Sequence, residues 1–102
     1  MDYVGVAQLS DLPVDRGHVV TVGDAPIALF LVDGQVYAID DRCPHAGASL
    51  GAGELCDGEV VCTRHGAMFD VRSGEVVGPP AEDDVATWPV RVVDGRIEIG
   101  IG

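Results

Sequence analysis

Cys43-Pro44-His45-Ala46-Gly47-Ala48-Ser49-Leu50 and Cys62-Thr63-Arg64-His65-Gly66-Ala67-Met68-Phe69-Asp70 are the two stretches that decide how this chain is read. Each sets a cysteine and a histidine close together, with one residue between them in the first and two in the second, and sixteen residues separate His45 from Cys62. The 102-residue chain has only three cysteines and three histidines, so nearly all its capacity for a transition metal sits in these four side chains. Two thiolates and two imidazoles suit a tetrahedral zinc ion, or a [2Fe–2S] cluster in which histidines hold one of the two irons. Zinc sites of this composition normally carry their histidine pair on a helix. No helical period longer than a turn is readable here, and Leu9–Leu12 is the one candidate turn.

Outward from the two motifs the chain reads as all-β. Strands are expected over Tyr3–Ala7, His18–Val22, Ile27–Val32, Gln35–Ile39, Glu59–Cys62, Met68–Asp70, Thr87–Val93 and Arg96–Ile101. Asp33-Gly34 and Asp94-Gly95, flanked by β-branched residues, are hairpin turn signals, and Ser73-Gly74 is a weaker one. Ile97, Ile99 and Ile101 alternate with Glu98 and Gly100, as on a half-buried strand. Strands leading into two ligand-bearing loops predict a small cluster-binding subdomain inserted in an antiparallel sandwich or barrel. The length suits one domain over residues 1–102, with no repeats and no low-complexity segment.

The motifs resemble those of the Rieske family of iron–sulfur proteins, whose signature is Cys-x-His, a gap, then Cys-x-x-His. The likeness runs from Arg42 to Ala81 and takes in Ser73-Gly74 and Gly78-Pro79-Pro80-Ala81 as well as the ligand stretches. It implies one [2Fe–2S] cluster per chain, with Cys43 and Cys62 on one iron and His45 and His65 on the other. Gly47, Gly51, Gly53 and Gly66 are then expected to supply positive φ and close main-chain approach to the sulfides. Gly78-Pro79-Pro80 would form a stiff cover loop.

Departures from the pattern point to a branch. High-potential members carry an extra cysteine three residues after the first histidine and another just before the second, joined as a disulfide. Ala48 and Arg64 stand in those places. The same members place hydroxyls where this chain has Ala67 and Phe69. Without those donors the potential should fall toward the lower end of roughly −150 to +300 mV. The pattern is similar to the ferredoxins of aromatic-ring-hydroxylating dioxygenase systems. It implies an electron carrier for aromatic hydrocarbon catabolism, not an enzyme, serving a flavoprotein reductase and a terminal oxygenase. A small subunit of a larger reductase, such as a nitrite reductase, is the second reading, and a zinc-stabilised binding module the third.

Seventeen acidic residues against six arginines and no lysine leave a net charge of −11. That argues against nucleic acid and anionic membranes, and for partner proteins with basic docking faces. The N-terminal residues lack the basic-then-apolar pattern of a secretion signal, and the longest apolar run, Ala25 to Val32, is far short of a membrane span. A cytoplasmic monomer is expected. Cys56 reads as a small buried hydrophobe, His18 as a strand-end or surface residue, and Trp88 and Tyr37 as strand packing. Arg42 and Arg64 flank ligands and suit charge compensation or partner contact. Glu82-Asp83-Asp84 is either part of a docking face or a solvated loop.

Overall fold

The computed structural model describes residues 2–44, 47–64, 66–78 and 83–101. His45, His65, Pro79, Pro80, Ala81 and Glu82, and with them most of the expected cover loop, lie outside the described residues. The architecture is all-β, as expected, in three antiparallel sheets. The first joins β1 (Asp2–Gln8), β11 (Arg96–Ile101) and β10 (Val90–Val93). The second orders β2 (His18–Val22), β3 (Ala25–Val32), β4 (Gln35–Asp40) and β9 (Thr87–Trp88). The third, β5 (Leu55–Cys56), β6 (Glu59–Val61), β7 (Met68–Asp70) and β8 (Val76–Gly78), is continuous in sequence and inserted between β4 and β9. A small subdomain inserted at this place in the chain is what the sequence led us to expect.

The second sheet is the wall between two cores. Ile27, Ala28, Leu29 and Phe30 on β3 are all fully buried, although strand side chains alternate between faces. Ala28, Phe30 and Val32 pack with Ile39, Leu50, Val60, Phe69 and both motif cysteines. Ile27 and Leu29 face the other way, onto Leu12, Ala38, Ile97 and Ile99 of the second core. A continuous apolar run is what a strand covered on both faces requires.

Three hairpins turn on Asp-Gly pairs with both residues at positive φ: Asp33-Gly34 (51° and 80°), Asp57-Gly58 (51° and 80°) and Asp94-Gly95 (51° and 78°). These are the left-handed two-residue turns whose twist matches the flanking strands. The Asp57-Gly58 turn, and with it β5, is not among the expected elements; nor is β8. The expected strand Thr87–Val93 is two strands. Pro89 has no N–H for a ladder, and there the chain passes from β4's edge to pairing with β11, leaving the Pro89 carbonyl to accept from Gly100 N at 2.9 Å. The expected strand Glu59–Cys62 ends at Val61, and Cys62 N closes the hairpin by donating to Ala67 O at 2.7 Å. The turn at Leu9 is a 3-10 turn, Leu9–Asp11, and a second one spans Leu50–Ala52.

Candidate metal centre

Both motif cysteines sit on loops built by the same hydrogen bonds. In the first, Cys43 N donates to Ala48 O at 2.8 Å and Gly47 N donates to Cys43 O at 2.7 Å. In the second, Cys62 N donates to Ala67 O at 2.7 Å and Gly66 N donates to Cys62 O at 3.1 Å. Gly47 and Gly66 hold φ of 69° and 74°, the left-handed conformation that reverses each loop and that a residue with a Cβ adopts at a cost. The two motifs differ in Cys-to-His spacing, yet the glycine falls four residues after the cysteine in both. The expectation for Gly51 and Gly53 is corrected: neither has positive φ. They are small for packing reasons, since a Cβ on Gly51 would strike Val19 and one on Gly53 the Val61 carbonyl.

Cys43 and Cys62 are free thiols, 1% and 2% exposed, in the same buried cluster with Leu50, Val60, Ala67 and Phe69. Two unpaired thiols on matching loops, walled from water by apolar side chains, fit a sulfur-ligated cluster. Among the described residues no group of three or more His, Cys, Asp or Glu side chains forms a competing site. The imidazoles expected to complete the set, His45 and His65, lie outside the described residues.

The first loop contains a residue that the sequence reading missed. Asp41, two positions before Cys43, is 7% exposed. Its Oδ1 accepts from Ser49 Oγ at 2.9 Å and from Gly51 N at 2.7 Å. No spacing rule links Asp41 to Ser49 and Gly51, so nothing in the sequence marked it. Asp84 is a similar case: exposed, but with its Oδ1 accepting from Val76 N at 2.9 Å at the end of the subdomain.

The remaining candidates separate cleanly. Cys56 is exposed, not buried as expected, because the β5 hairpin turns Leu55 inward and the next side chain outward. His18 opens β2, half-buried, and Trp88 and Tyr37 pack against the two cores, as expected. Trp88 Nε1 also donates to Asp40 Oδ1 at 2.8 Å. Arg42, next to Cys43, and Arg64, two residues after Cys62, are both exposed. Far from the loops, on the first sheet, Glu98 is covered by Arg91 at 2.6 Å and Arg96 at 2.7 Å. The hydrogen bonds from Arg91 and then Arg96 hold its carboxyl below the usual carboxylate value. No helix is long and apolar enough to cross a membrane among the described residues.

The family model of the Rieske [2Fe-2S] domain matches residues 2–89. The 3-phenylpropionate/cinnamic acid dioxygenase ferredoxin subunit of Photorhabdus laumondii is 40% identical over 102 residues, covering 99% of this chain and 96% of its own. The solved ferredoxin of Sphingomonas yanoikuyae B1 superposes with a TM-score of 0.93 at 25% identity, over 99% of this chain and 100% of its own. A chain in the solved complex of reduced oxygenase and oxidized ferredoxin in carbazole 1,9a-dioxygenase superposes at 0.88 with 32% identity, over 95% of this chain and 91% of its own. A protein described as an NADPH nitrite reductase small subunit superposes at 0.85 with 25% identity, over 99% and 100%.

Proposed function

Because the chain belongs to the Rieske [2Fe-2S] domain family, we propose that it is a one-electron carrier, passing electrons from an NAD(P)H-dependent flavoprotein reductase to a terminal ring-hydroxylating oxygenase. The observation that carries this reading is the pair of identically bonded loops, each delivering a buried free thiol to one apolar pocket. In it Cys43 and Cys62 hold one iron and His45 and His65 the other, with one cluster per chain over a single domain of residues 1–102. When bound, the cluster supplies reversible uptake of one electron at a potential set by its ligands and surroundings. The chain's own part is positional. Leu50, Val60 and Phe69 keep water from the two sulfurs, and the short loop hydrogen bonds keep both cysteines in place.

The same reading accounts for what the chain lacks. An oxygenase iron needs two further histidines and a carboxylate, and once His45 and His65 are engaged only His18, on a strand of the second sheet, is left. It is thus an electron-transfer component and not an enzyme. Its net charge of −11 suits fast, short-lived docking onto basic faces of cytoplasmic partners, by a monomer. The relative named for an aromatic-acid dioxygenase supports an aromatic-catabolism system. The neighbour named for a nitrite reductase small subunit supports the second reading, a bound subunit of a larger reductase.

Absorption and EPR spectra before and after dithionite, with iron and sulfide analysis, test the assignment. Two irons and two sulfides per chain and the low average g value of mixed Cys/His ligation are expected. A colourless protein holding one zinc would sink it. A monomer that exchanges electrons with a separate reductase favours the carrier; obligate co-purification with a large subunit favours the second reading. If Glu82→Lys leaves reductase turnover and its salt dependence unchanged, the acidic run 82–84 is not the docking face.

A further inference from the structure

We propose that Asp41 is the positioning residue of the first ligand loop: its side chain closes that loop where the second is closed by a sheet. The proposal rests on the cluster reading above. The second loop is the tip of a regular hairpin, with Val61 opposite Met68, Val60 opposite Phe69 and Glu59 opposite Asp70. Among the described residues the first has no such three-pair ladder beneath it. β4 ends at Asp40, the chain leaves the loop through the 3-10 turn Leu50–Ala52, and a single bridge pairs Arg42 with Ser49.

Asp41 holds the two arms together at that bridge, its carbonyl in one of the bridge's own rungs and its carboxylate in two ties beyond it. Its Oδ1 takes Ser49 Oγ and Gly51 N, its own carbonyl takes Leu50 N at 2.5 Å, and its N–H donates to Pro26 O on β3 at 3.0 Å. One residue therefore ties the outgoing arm of the loop to the incoming arm and both to the central sheet. A carboxylate this buried persists only with donors, and both of its side-chain donors come from the far arm. Gly51 completes the fit: a Cβ there would strike Val19 Cγ2 and lie 3.0 Å from Asp41 Oδ1, so the site admits an N–H and little else. Asp41 is not among the proposed ligands; it acts through the backbone that carries Cys43.

The test uses the holoprotein and its Asp41→Ala, Ser49→Ala and Asp41→Asn variants. Iron and sulfide per chain, the rate at which the visible absorption bleaches in excess EDTA, and the g values of the dithionite-reduced protein are measured. Asp41→Ala should bleach roughly tenfold faster with broadened g values, and Ser49→Ala about threefold faster. Asp41→Asn keeps the Oδ1 acceptor and should stay within about twofold of the parent, with the parent's g values. Where Asp41→Ala fails to fold, Ser49→Ala decides: bleaching at the parent's rate overturns the proposal. Asp41→Asn bleaching at the tenfold rate also overturns it, because the argument is acceptor geometry. A parent that purifies without iron and sulfide overturns the cluster reading and this proposal together. A parent that holds both, with Asp41→Ala and Ser49→Ala indistinguishable from it, overturns only the clamp.

Discussion

Phe69→Tyr adds one hydroxyl to the wall of the core that holds both cysteines. Phe69 is fully buried on β7 and shares that core with Cys43, Cys62, Leu50 and Val60. A hydroxyl donating to a charged acceptor gains about 1.5–3 kcal/mol. Only the part by which the reduced, more negative state binds the donor more tightly moves the potential. Taking that part as about 1 kcal/mol, and one electron as 59 mV per 1.4 kcal/mol, the potential rises by about 40 mV. The burial of Phe69 sets the alternative. With no water at hand, a hydroxyl that finds no acceptor costs about 1–3 kcal/mol of stability. Protein-film voltammetry and urea unfolding of the holoprotein, run side by side, separate the two. A potential unchanged within about 10 mV, with stability down by the full penalty, would refute the placement of Phe69 against the sulfur ligands. A parent potential above about +100 mV at neutral pH would refute the wider argument that missing hydroxyls keep this chain at the low end of the family range.

Glu98→Gln should flatten the acid limb of the stability curve. The carboxyl is held below its ordinary value of 4.5 in the fold, so its contribution is fully present above that value and is lost as pH falls through the lowered one. Urea midpoints between about pH 7 and pH 3 should drop more steeply in the parent, and identical limbs would show that the two arginine pairs contribute nothing. Gly17→Ala would place a Cβ 2.8 Å from Gly51 Cα and 2.9 Å from Phe30 Cε1. Forcing apart the clamp and the core should cost about 1–3 kcal/mol in urea unfolding, and an unshifted midpoint would show that the contact relaxes freely. Cys56→Ser should leave iron content and EPR spectrum unchanged, because the thiol is exposed on a hairpin outside the buried cluster; loss of iron would mean that Cys56 takes part in holding it.

Cys43 and Cys62 stand out in the sequence because ligand chemistry resides in residue type and three cysteines and three histidines leave few combinations, and the fold brings these two thiols into one buried cluster. The turns at Asp33-Gly34 and Asp94-Gly95 were legible for a related reason: the dipeptide itself selects the left-handed turn. Asp57-Gly58 has the same dipeptide and the same φ values, yet its strands are two and three residues long, too short for alternation to stand out. Ile27 to Val32 reads as an apolar strand, but that it separates two cores follows from what covers each face, a tertiary fact. Thr87–Val93 reads as one strand despite Pro89, because the change of sheet at that proline depends on β11 lying beside β10.

Asp41 marks the limit most clearly. In sequence it is one acid among seventeen, adjacent to Asp40, and nothing in its spacing sets it apart. The fold divides them. Asp40 accepts from Trp88, forty-eight residues away, and Asp41 accepts from Ser49 and Gly51 across the loop. Neither partnership has a fixed sequence offset, because each is set by where the chain returns in space. The second ligand loop needs no such residue, since its hairpin already brings the two arms together. In this chain the buried acid stands where the pairing is reduced to the single Arg42–Ser49 bridge, and that difference between the two loops is visible in the strand pairing before it is visible in any motif.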